Sequence, residues 1–538
     1  MSMTRRKAIQ LLANAVPAAI AAKAARALRL LPQESKYAIP QITRGPFQGT
    51  RESLRAYQAP QWFREAKFGI WAHWGPQSAA EAGDWYARNM YIQGSRQYDY
   101  HVKTYGHPSK FGYKDLVPTW KGDKFDPDHL MGLYKKAGAK YFMSMGVHHD
   151  NFDMWDSAHT RWNAVNMGIK KDVVGLWRKA ADKHGLPFGV SDHLWISYKW
   201  FAVSHRSDKD GPLAGVPYDG VDPKFADLYH DYSELPAIPP VDFGWNENGI
   251  PDSWKQHWFL RIKDLIDKYH PDMIYSDGNI EFEDWGLNLV AHLYNTSATR
   301  HSGQSQAVYT SKRREDCETG TCVLDVERGV VDGIWPQPFQ TDTCVGEWHY
   351  NRDVTYKTPK MVIDMLVDVV SRNGNLMLNF PLPNSGMLDD RELHILDEIT
   401  KWMEINSSSL YRTVPWKIFG SGPAAQPASG SSSFNESKRK ELTFEDLRFT
   451  RTRSHLNVFA MGWPEPGAPL EKVIPELGAK SPYVEGRIEE VLLLVHGGEF
   501  RKVKWAQEDA ALRIQLPPEK PCDYAIGLRV VGAFPEVI

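Results

Sequence analysis

Between about residue 60 and residue 410, short apolar runs that end in polar residues alternate with segments whose apolar residues recur at helical spacing. Four of these runs, at 67–75, 140–150, 187–193 and 272–278, have the length of buried strands. Repeated helix-then-strand units align successive strands in parallel. The pattern therefore predicts an α/β fold, and the number of units favours a (β/α)8-like, TIM-type barrel. A doubly wound open sheet is the alternative, but the chain has no G-x-G-x-x-G loop to support it.

The clearest helical segment precedes the fourth run. In "SWKQHWFLRIKDLIDKYHP" the large apolar residues fall on one face, with Ser253 as the predicted N-cap and Pro271 after the end. A similar helix precedes the third run and is predicted to end at Gly185.

The pattern changes after residue 410. The stretch 419–437 is rich in Ser, Gly and Pro and is predicted to be a flexible loop, and the short β-type runs beyond it predict an antiparallel β-sandwich. We therefore expect a catalytic barrel at 56–414 and a C-terminal β-sandwich domain at 415–538. The second domain carries no cluster of acids or histidines, so we expect it to serve packing, stability or weak sugar contact.

The first 27 residues have the layout of an export signal. Arg5 and Arg6 precede an alanine-rich apolar stretch, and residues 25–27 (Ala-Arg-Ala) form a possible cleavage site. The paired arginines favour the twin-arginine route, so the protein is expected to be periplasmic or secreted, with an N-terminal extension at 28–55. The alternative is an amphipathic start to the fold. No other segment approaches the ~20 apolar residues that span a bilayer, so no membrane span is expected in the mature chain.

Composition restricts the possible partners only in part. The 538 residues carry 24% charged residues and a formal net charge of −2, which gives no sign of a nucleic-acid partner. Twenty tryptophans, 23 tyrosines and 22 phenylalanines are more informative. Most are expected in the core, and some would cover the apolar C–H faces of a sugar.

The cysteines are Cys317, Cys322, Cys344 and Cys522. In an exported protein the C-x4-C pair could close a small disulfide loop. Zinc is disfavoured, because no second C-x2-C or H-x3-H motif lies nearby.

Polar residues end each predicted strand. They are His73, His148-His149-Asp150, Asp192-His193 and Asp277. Because the carboxyl ends of barrel strands meet at one mouth, the sequence predicts a polar site there.

The pair His148 and His149 has three interpretations: a metal site, a structural pair, or a grip on a polar ligand. Adjacent strand residues point to opposite faces, so both reach one site only if the strand ends there. No H-E-x-x-H or 2-His-1-carboxylate spacing is present, which favours the polar ligand over a metal-dependent hydrolase.

Asp277 is the predicted catalytic carboxylate, because it ends an apolar strand and faces the mouth, although Asp before Gly is also ordinary turn chemistry. Hydrolysis of a glycoside with retention needs a second carboxyl group about 5–5.5 Å away. The downstream candidates are Glu315, Glu318 and Glu327, with Asp325 less favoured.

Five stretches of the chain follow one another in an order that is typical of one enzyme family. They are "WFREAKFGIWAHWG" (62–75), "GDWY" (83–86), "HHDNFDMWDS" (148–157), "MIYSDG" (273–278) and the closing barrel segment at 356–386. Taken in order, these stretches resemble glycoside hydrolase family 29, the retaining α-L-fucosidases, and the resemblance covers roughly residues 55–415.

The resemblance implies an exo-α-L-fucosidase acting on fucosylated glycans, without a cofactor or a metal. Asp277 would be the nucleophile and Glu327 the preferred acid/base, which needs a raised pKa to act as an acid. Arg328 would contact the substrate or steady a carboxylate. The other predicted sugar-binding residues are His73, Asp84, Trp85, His148, His149, Asp192 and His193.

Two departures from the family pattern keep other activities open. Residues 191–193 (Ser-Asp-His) stand where a tyrosine is expected, and Asp84 stands where glutamate is usual. An insertion at 195–250 would rim the same mouth, or be an inert excursion. The alternatives are a retaining glycosidase for an α-L-galactoside or a sulfated fucoside, and a non-catalytic carbohydrate-binding protein of the same fold.

Overall fold

The computed structural model describes residues 37–233, 235–425, 433–484 and 486–532. The predicted export signal at 1–27 lies outside the described residues. Within the described ranges, every helix is too short or too polar to cross a bilayer.

Eight parallel strands close into a barrel, in the order in which they occur along the chain. They are β1 (Phe68–Ala72), β2 (Tyr141–Val147), β3 (Phe188–Asp192), β4 (Met273–Ser276), β5 (Val308–Ser311), β6 (Val323–Glu327), β7 (Phe339–Cys344) and β8 (Gly374–Asn379). Pairing of β1 with both β2 and β8 closes the ring. The predicted barrel is confirmed, and the open doubly wound sheet is excluded.

The α-helices of the described residues pack outside the barrel or cover its mouth. They are α1 (Arg51–Leu54), α2 (Gln61–Ala66), α3 (Tyr86–Asn89), α4 (Arg96–Thr104), α5 (Tyr113–Leu116), α6 (Pro127–Lys136), α7 (Val173–His184), α8 (Ser197–Trp200), α9 (Ala226–Tyr229), α10 (Asp252–Tyr269), α11 (Asp284–Arg300), α12 (Arg314–Glu318), α13 (Pro359–Ser371) and α14 (Asp390–Asn406).

The two helices that the sequence located differ in how well their ends were predicted. Gly185 ends α7 in the left-handed conformation, as predicted, with φ of 67°. The predicted N-cap of α10 is wrong: the helix begins at Asp252, and Pro251 is its N-cap in an extended conformation with φ of −75°. The proline ring fixes φ, and the Pro251 carbonyl accepts the N–H of Trp254 at 3.0 Å, so the helix starts without a side-chain cap.

The C-terminal region forms two antiparallel sheets, as predicted. Their strands are β9 (Val414–Ser421), β10 (Leu447–Arg451), β11 (His455–Ala460), β12 (Glu471–Ile474), β13 (Ile488–Val495), β14 (Glu499–Lys502), β15 (Lys504–Gln507), β16 (Leu512–Gln515) and β17 (Ile526–Gly532). A six-stranded sheet ordered β14-β13-β17-β11-β10-β9 faces the three-stranded sheet β12-β16-β15. The predicted loop at 419–437 therefore begins later than expected, because β9 continues to Ser421.

A buried cluster of charges fastens the sandwich to the barrel. Asp368 on α13 accepts hydrogen bonds from Arg372, which follows the last residue of that helix, and from Arg439 and Arg448 of the C-terminal region. Both Asp368 and Arg448 are fully buried. Burial alone would raise the pKa of Asp368, but the three guanidinium groups hold it well below its usual range. The carboxylate is therefore charged in the folded protein.

Candidate active site

A cavity of about 560 Å³ opens at the carboxyl ends of the barrel strands. Its polar lining consists of His73, Asp84, His148, His149, His193, Asp277, Asn279, Lys312, Glu327 and Arg328. Its aromatic lining consists of Trp71, Trp85, Trp195, Trp245, Tyr275, Trp348 and Phe434. The structure thus brings every predicted site residue except Asp192 to one cavity. Glu315 and Glu318 lie on α12 and are not part of this lining.

Asp277 follows β4 and lies between two basic side chains. Its Oδ2 is 3.3 Å from His149 Nε2, and its Oδ1 is 3.4 Å from Lys312 Nζ. His149 Nδ1 donates to the carbonyl of His193 at 2.6 Å, which turns Nε2 toward the carboxylate. Burial would raise the pKa of Asp277, but Lys312, His193 and His149 outweigh burial and hold that pKa well below its usual range. Asp277 is therefore an ionised carboxylate facing the cavity.

Glu327 is the last residue of β6, and its carboxyl group contacts the same Lys312 ammonium group as Asp277. Lys312 Nζ lies 2.6 Å from its Oε2, and Trp348 Nε1 donates to its Oε1 at 3.2 Å. Burial raises the pKa of Glu327 and the charge of Asp277 raises it further, against the opposing effect of Lys312. Because both carboxyl groups contact one ammonium, their nearest oxygens lie within roughly 6 Å, which is shorter than the separation of about 6.5–9.5 Å typical of inverting glycosidases.

Lys312 is the main residue that the sequence interpretation missed. It follows β5, and its backbone N–H donates to the carbonyl of Gly278 at 2.7 Å, next to Asp277. Below it, two further buried carboxyl groups, Asp325 and Asp342, lie 3.6 and 3.8 Å from Nζ. Burial would lower the pKa of Lys312, but the four carboxyl groups raise it well above its usual range. The available signal was the run "VYTSK" (308–312), which ends in a charged residue like the other strands.

Three histidines supply neutral hydrogen-bonding groups to the cavity. Burial lowers the pKa of His73 and of His148 well below the usual range, and lowers that of His193 to about 3. The Nδ1 atoms of His73 and His193 have no hydrogen-bond partner within the described residues. Buried polar atoms without partners are rare in folded proteins, and both of these atoms belong to residues that line the cavity.

The orientation of Gln77 bears on whether these histidines hold a metal. One nitrogen of each of His73, His148 and His193 lies within 4.8 Å of the others, and so do ligand atoms of Asp84, His148 and His349. However, Gln77 Oε1 accepts the N–H of Ala87 at 3.3 Å, so its amide group donates to His148 Nδ1 at 3.0 Å. His148 therefore carries its proton on Nε2, which suits donation to a hydroxyl group better than metal ligation.

Asp192 does not reach the cavity. Its Oδ2 accepts from Trp258 Nε1 and its Oδ1 from the N–H of Leu194, both at 2.8 Å. Burial raises the pKa of Asp192 to about 6. Neighbouring strand residues alternate between the two faces, so Asp192 points outward to α10 while His193 turns into the cavity.

Arg328 and Asp84 have partners that the sequence did not indicate. Arg328 Nε donates to Glu436 Oε1 at 2.8 Å, across the junction with the C-terminal region. Asp84 Oδ1 accepts from His349 Nδ1 at 2.7 Å and lies 4.0 Å from His148 Nε2. Both side chains are therefore held in place by neighbours before any ligand arrives.

The insertion at 195–250 contributes two of the aromatic rings. Trp195 Nε1 donates to the carbonyl of Asp277 at 3.0 Å, so it braces the backbone of the predicted nucleophile. The ring of Trp245 lies 5.6 Å from both Trp85 and His149. The insertion therefore lines the cavity, as one of the two sequence-based readings expected.

Comparison with known proteins gives a consistent result. A family model described as "Alpha-L-fucosidase" matches residues 37–408. The "Tissue alpha-L-fucosidase" of Mus musculus is 27% identical over 389 residues, covering 68% of this chain and 74% of that protein. The "Tissue alpha-L-fucosidase" of Homo sapiens is 25% identical over 506 residues, covering 89% and 91%. A crystal structure of Thermotoga maritima alpha-fucosidase in complex with fucose matches with a TM-score of 0.66 at 23% identity, over 90% of this chain and 100% of that one.

Proposed function

The chain belongs to the alpha-L-fucosidase family, and from that premise we propose that it is a retaining exo-α-L-fucosidase that releases terminal α-L-fucosyl residues from glycans. The observation that carries the mechanism is the pair Asp277 and Glu327 on one ammonium group, with pKa values displaced in opposite directions. An ionised carboxylate and a protonatable carboxyl group at this separation are the two groups that a retaining glycosidase needs.

In the first step, a carboxylate oxygen of Asp277 attacks the anomeric carbon while Glu327 gives its proton to the glycosidic oxygen. The glycosidic bond breaks, the leaving group departs as an alcohol, and a covalent glycosyl-enzyme forms. In the second step, Glu327 removes a proton from water, which attacks the same carbon and releases Asp277. Lys312 contacts both carboxyl groups, so it stabilises the negative charge while that charge moves from Asp277 to Glu327.

The walls of the cavity support a deoxy sugar as the substrate. Neutral histidines face the space that the hydroxyl groups would occupy. The ring of Trp71 packs against Tyr275, at 4.6 Å, and against Trp348, at 5.6 Å. This apolar surface suits a methyl group. An α-L-galactoside would place an extra hydroxyl group in the cavity, and apolar pockets reject such analogues by only ~100-fold.

We also propose that the protein is exported to the periplasm or beyond, on the basis of the Arg5-Arg6 pair and the alanine-rich stretch after it. Replacement of both arginines by lysine should leave the protein in the cytoplasmic fraction of a host with a twin-arginine system. Unchanged export of that variant would contradict the proposed route.

Stereochemistry and labelling test the mechanism together. Proton NMR of an aryl α-L-fucoside hydrolysate should show α-L-fucose first, with the β anomer appearing only by mutarotation. A 2-fluoro-fucosyl fluoride should inactivate the enzyme, and peptide mass spectrometry should place the label on Asp277. Initial formation of the β anomer, or a label on another residue, would refute the mechanism.

A further inference from the structure

Phe434 is an exposed aromatic residue at the active-site cavity that neither the family match nor the mechanism explains. It is 59% exposed, the highest value for a large apolar side chain among the described residues. It lines the cavity although it lies beyond the barrel, after β9, and beyond the end of the family match at residue 408. Its side chain belongs to neither of the two hydrophobic cores.

The backbone on both sides of Phe434 is fixed to the chain that follows β6. The N–H of Phe434 donates to the carbonyl of Glu327 at 2.7 Å, and the N–H of Glu436 donates to the carbonyl of Arg328 at 3.0 Å. The side chain of Asn435 accepts from the N–H of Val330 at 3.2 Å and donates to the carbonyl of Val330 at 3.0 Å. The segment 433–436 is thus attached to the barrel immediately beside the predicted acid/base.

A second set of contacts fixes the end of this segment. The carboxylate of Glu436 accepts from Arg328 and from Thr343, both at 2.8 Å, and lies 3.2 Å from Lys357 Nζ. Phe434 itself has a φ of 55°, a conformation that a bulky residue rarely adopts. The surroundings therefore hold an apolar ring in the open cavity at the expense of a favourable backbone conformation.

The position of Glu327 determines what this ring can contact. Glu327 protonates the glycosidic oxygen in the proposed mechanism, so the group on the far side of that oxygen must lie next to it. We propose that Phe434 forms a leaving-group subsite, which binds a ring-shaped group, either the sugar residue next to the fucose or an aryl group, by packing on its flat face. This inference rests on the proposed function and adds to it the class of leaving group.

Trp245 gives a useful contrast. It is also exposed, at 54%, and also lines the cavity. Its ring packs against Trp85 and His149, which are residues of the sugar-holding side. Trp245 therefore belongs with the fucose, whereas Phe434 is attached to the acid/base and belongs with the group that leaves.

The test is the variant Phe434→Ala with four substrates that separate ring binding from acid catalysis. A fucosyl disaccharide and 4-nitrophenyl α-L-fucoside carry a ring and benefit from protonation. The leaving group of the 2-chloro-4-nitrophenyl fucoside is a ring that departs with little protonation. The fluoride that leaves α-L-fucosyl fluoride is not a ring and needs no protonation. We expect kcat/KM to fall about tenfold, mainly through KM, for the three ring-bearing substrates and to stay within about twofold for the fluoride. Phe434→Trp should restore the wild-type values.

The matched control is Phe500→Ala, which removes another exposed ring, at 38% exposure on β14, outside the cavity. It should leave all four substrates unchanged. The inference is overturned if Phe434→Ala affects none of the substrates or affects all four equally. It is also overturned if kcat/KM falls only for the disaccharide and 4-nitrophenyl α-L-fucoside, because that result would mean that the substitution displaces Glu327. If the wild-type enzyme turns over none of the fucosides, the proposed function fails instead.

Discussion

The two proposed catalytic carboxyl groups share one ammonium partner but are held by different parts of the molecule. Asp277 is surrounded by barrel residues, with His149 on one oxygen and Lys312 on the other. Glu327 has Lys312 and Trp348 on its oxygens, while its backbone carbonyl is bonded to Phe434 of the C-terminal region. The nucleophile side is thus complete within the barrel, whereas the acid/base side depends on the sandwich.

The different surroundings of Asp277 and Glu327 explain how two similar carboxyl groups can take the two proposed roles of nucleophile and acid/base. Both side chains are largely buried, and burial alone would raise both pKa values. Lys312, His193 and His149 together reverse that effect at Asp277, whereas at Glu327 a single ammonium opposes both burial and the charge of Asp277. The number and distance of the charges therefore displace the two pKa values in opposite directions, which favours an ionised Asp277 and a protonated Glu327.

The largest expected effect is the loss of the nucleophile. Asp277→Ala should lower turnover of 4-nitrophenyl α-L-fucoside by about 10⁴-fold or more, because it removes the carboxylate that forms the covalent intermediate in the proposed mechanism. The matched control is Asp192→Asn, which alters a buried aspartate one strand away that does not reach the cavity. Equal losses in the two variants would refute the distinction between these aspartates.

Removal of the acid/base should be less severe and should depend on the leaving group. Glu327→Ala should lower kcat/KM by about 10²–10⁴-fold for a disaccharide and much less for fucosyl fluoride, which needs no proton. Azide should restore activity and give fucosyl azide. Glu315→Ala and Glu318→Ala are the controls, and a leaving-group dependence in either of them would move the role to that residue.

Removal of the shared ammonium group should shift the pKa values of both carboxyl groups in the same direction. Lys312 lowers the pKa of Asp277 and that of Glu327, so Lys312→Met should raise both. The reaction needs Asp277 ionised and Glu327 protonated, so both limbs of the pH profile of kcat/KM should move to higher pH. We expect the maximum rate to fall by about 10–100-fold.

Lys312→Arg keeps the charge and is the control for the ammonium variant. Its pH profile should stay close to that of the wild-type enzyme. A profile that does not move in Lys312→Met would show that the ammonium group only packs between the carboxyl groups.

The smallest effect on turnover is expected for a change in the buried charge cluster that joins the sandwich to the barrel. Asp368→Asn leaves three guanidinium groups beside a neutral amide, so the free energy of unfolding should fall by about 3–5 kcal/mol, measured by denaturant titration. Turnover of fucosyl fluoride by the folded variant should be nearly normal, because the nucleophile side lies within the barrel. A larger loss on fucosyl fluoride than on a disaccharide would contradict the division into two sides.

The pH dependence of stability gives a second check on Asp368. Its pKa is depressed in the folded protein, so its contribution is present above the pKa of an unfolded aspartate, about 3.9. That contribution is lost as the pH falls through the folded value. The stability difference between the wild-type protein and Asp368→Asn should therefore shrink on acidification, and a constant difference would mean that the carboxylate is not charged.

The sequence alone determined the barrel and most of the residues at its mouth. Apolar runs that end in His73, His148, His149 and Asp277 are local patterns, because the length of a buried strand and the polarity of its end are visible in a few consecutive residues. The closed barrel then places those ends together whatever their separation along the chain. Sequence pattern could therefore indicate which residues share a site.

Only the tertiary structure decided how that site works. Lys312 follows β5, and only the closed barrel brings its ammonium group to carboxyl groups that end other strands. Asp192 and His193 are neighbours in sequence that face opposite sides of a strand, and Phe434 reaches Glu327 from more than a hundred residues away. The split in pKa between Asp277 and Glu327 depends on through-space distances of a few ångströms to the same ammonium group, and electrostatic energy follows those distances rather than separation along the chain.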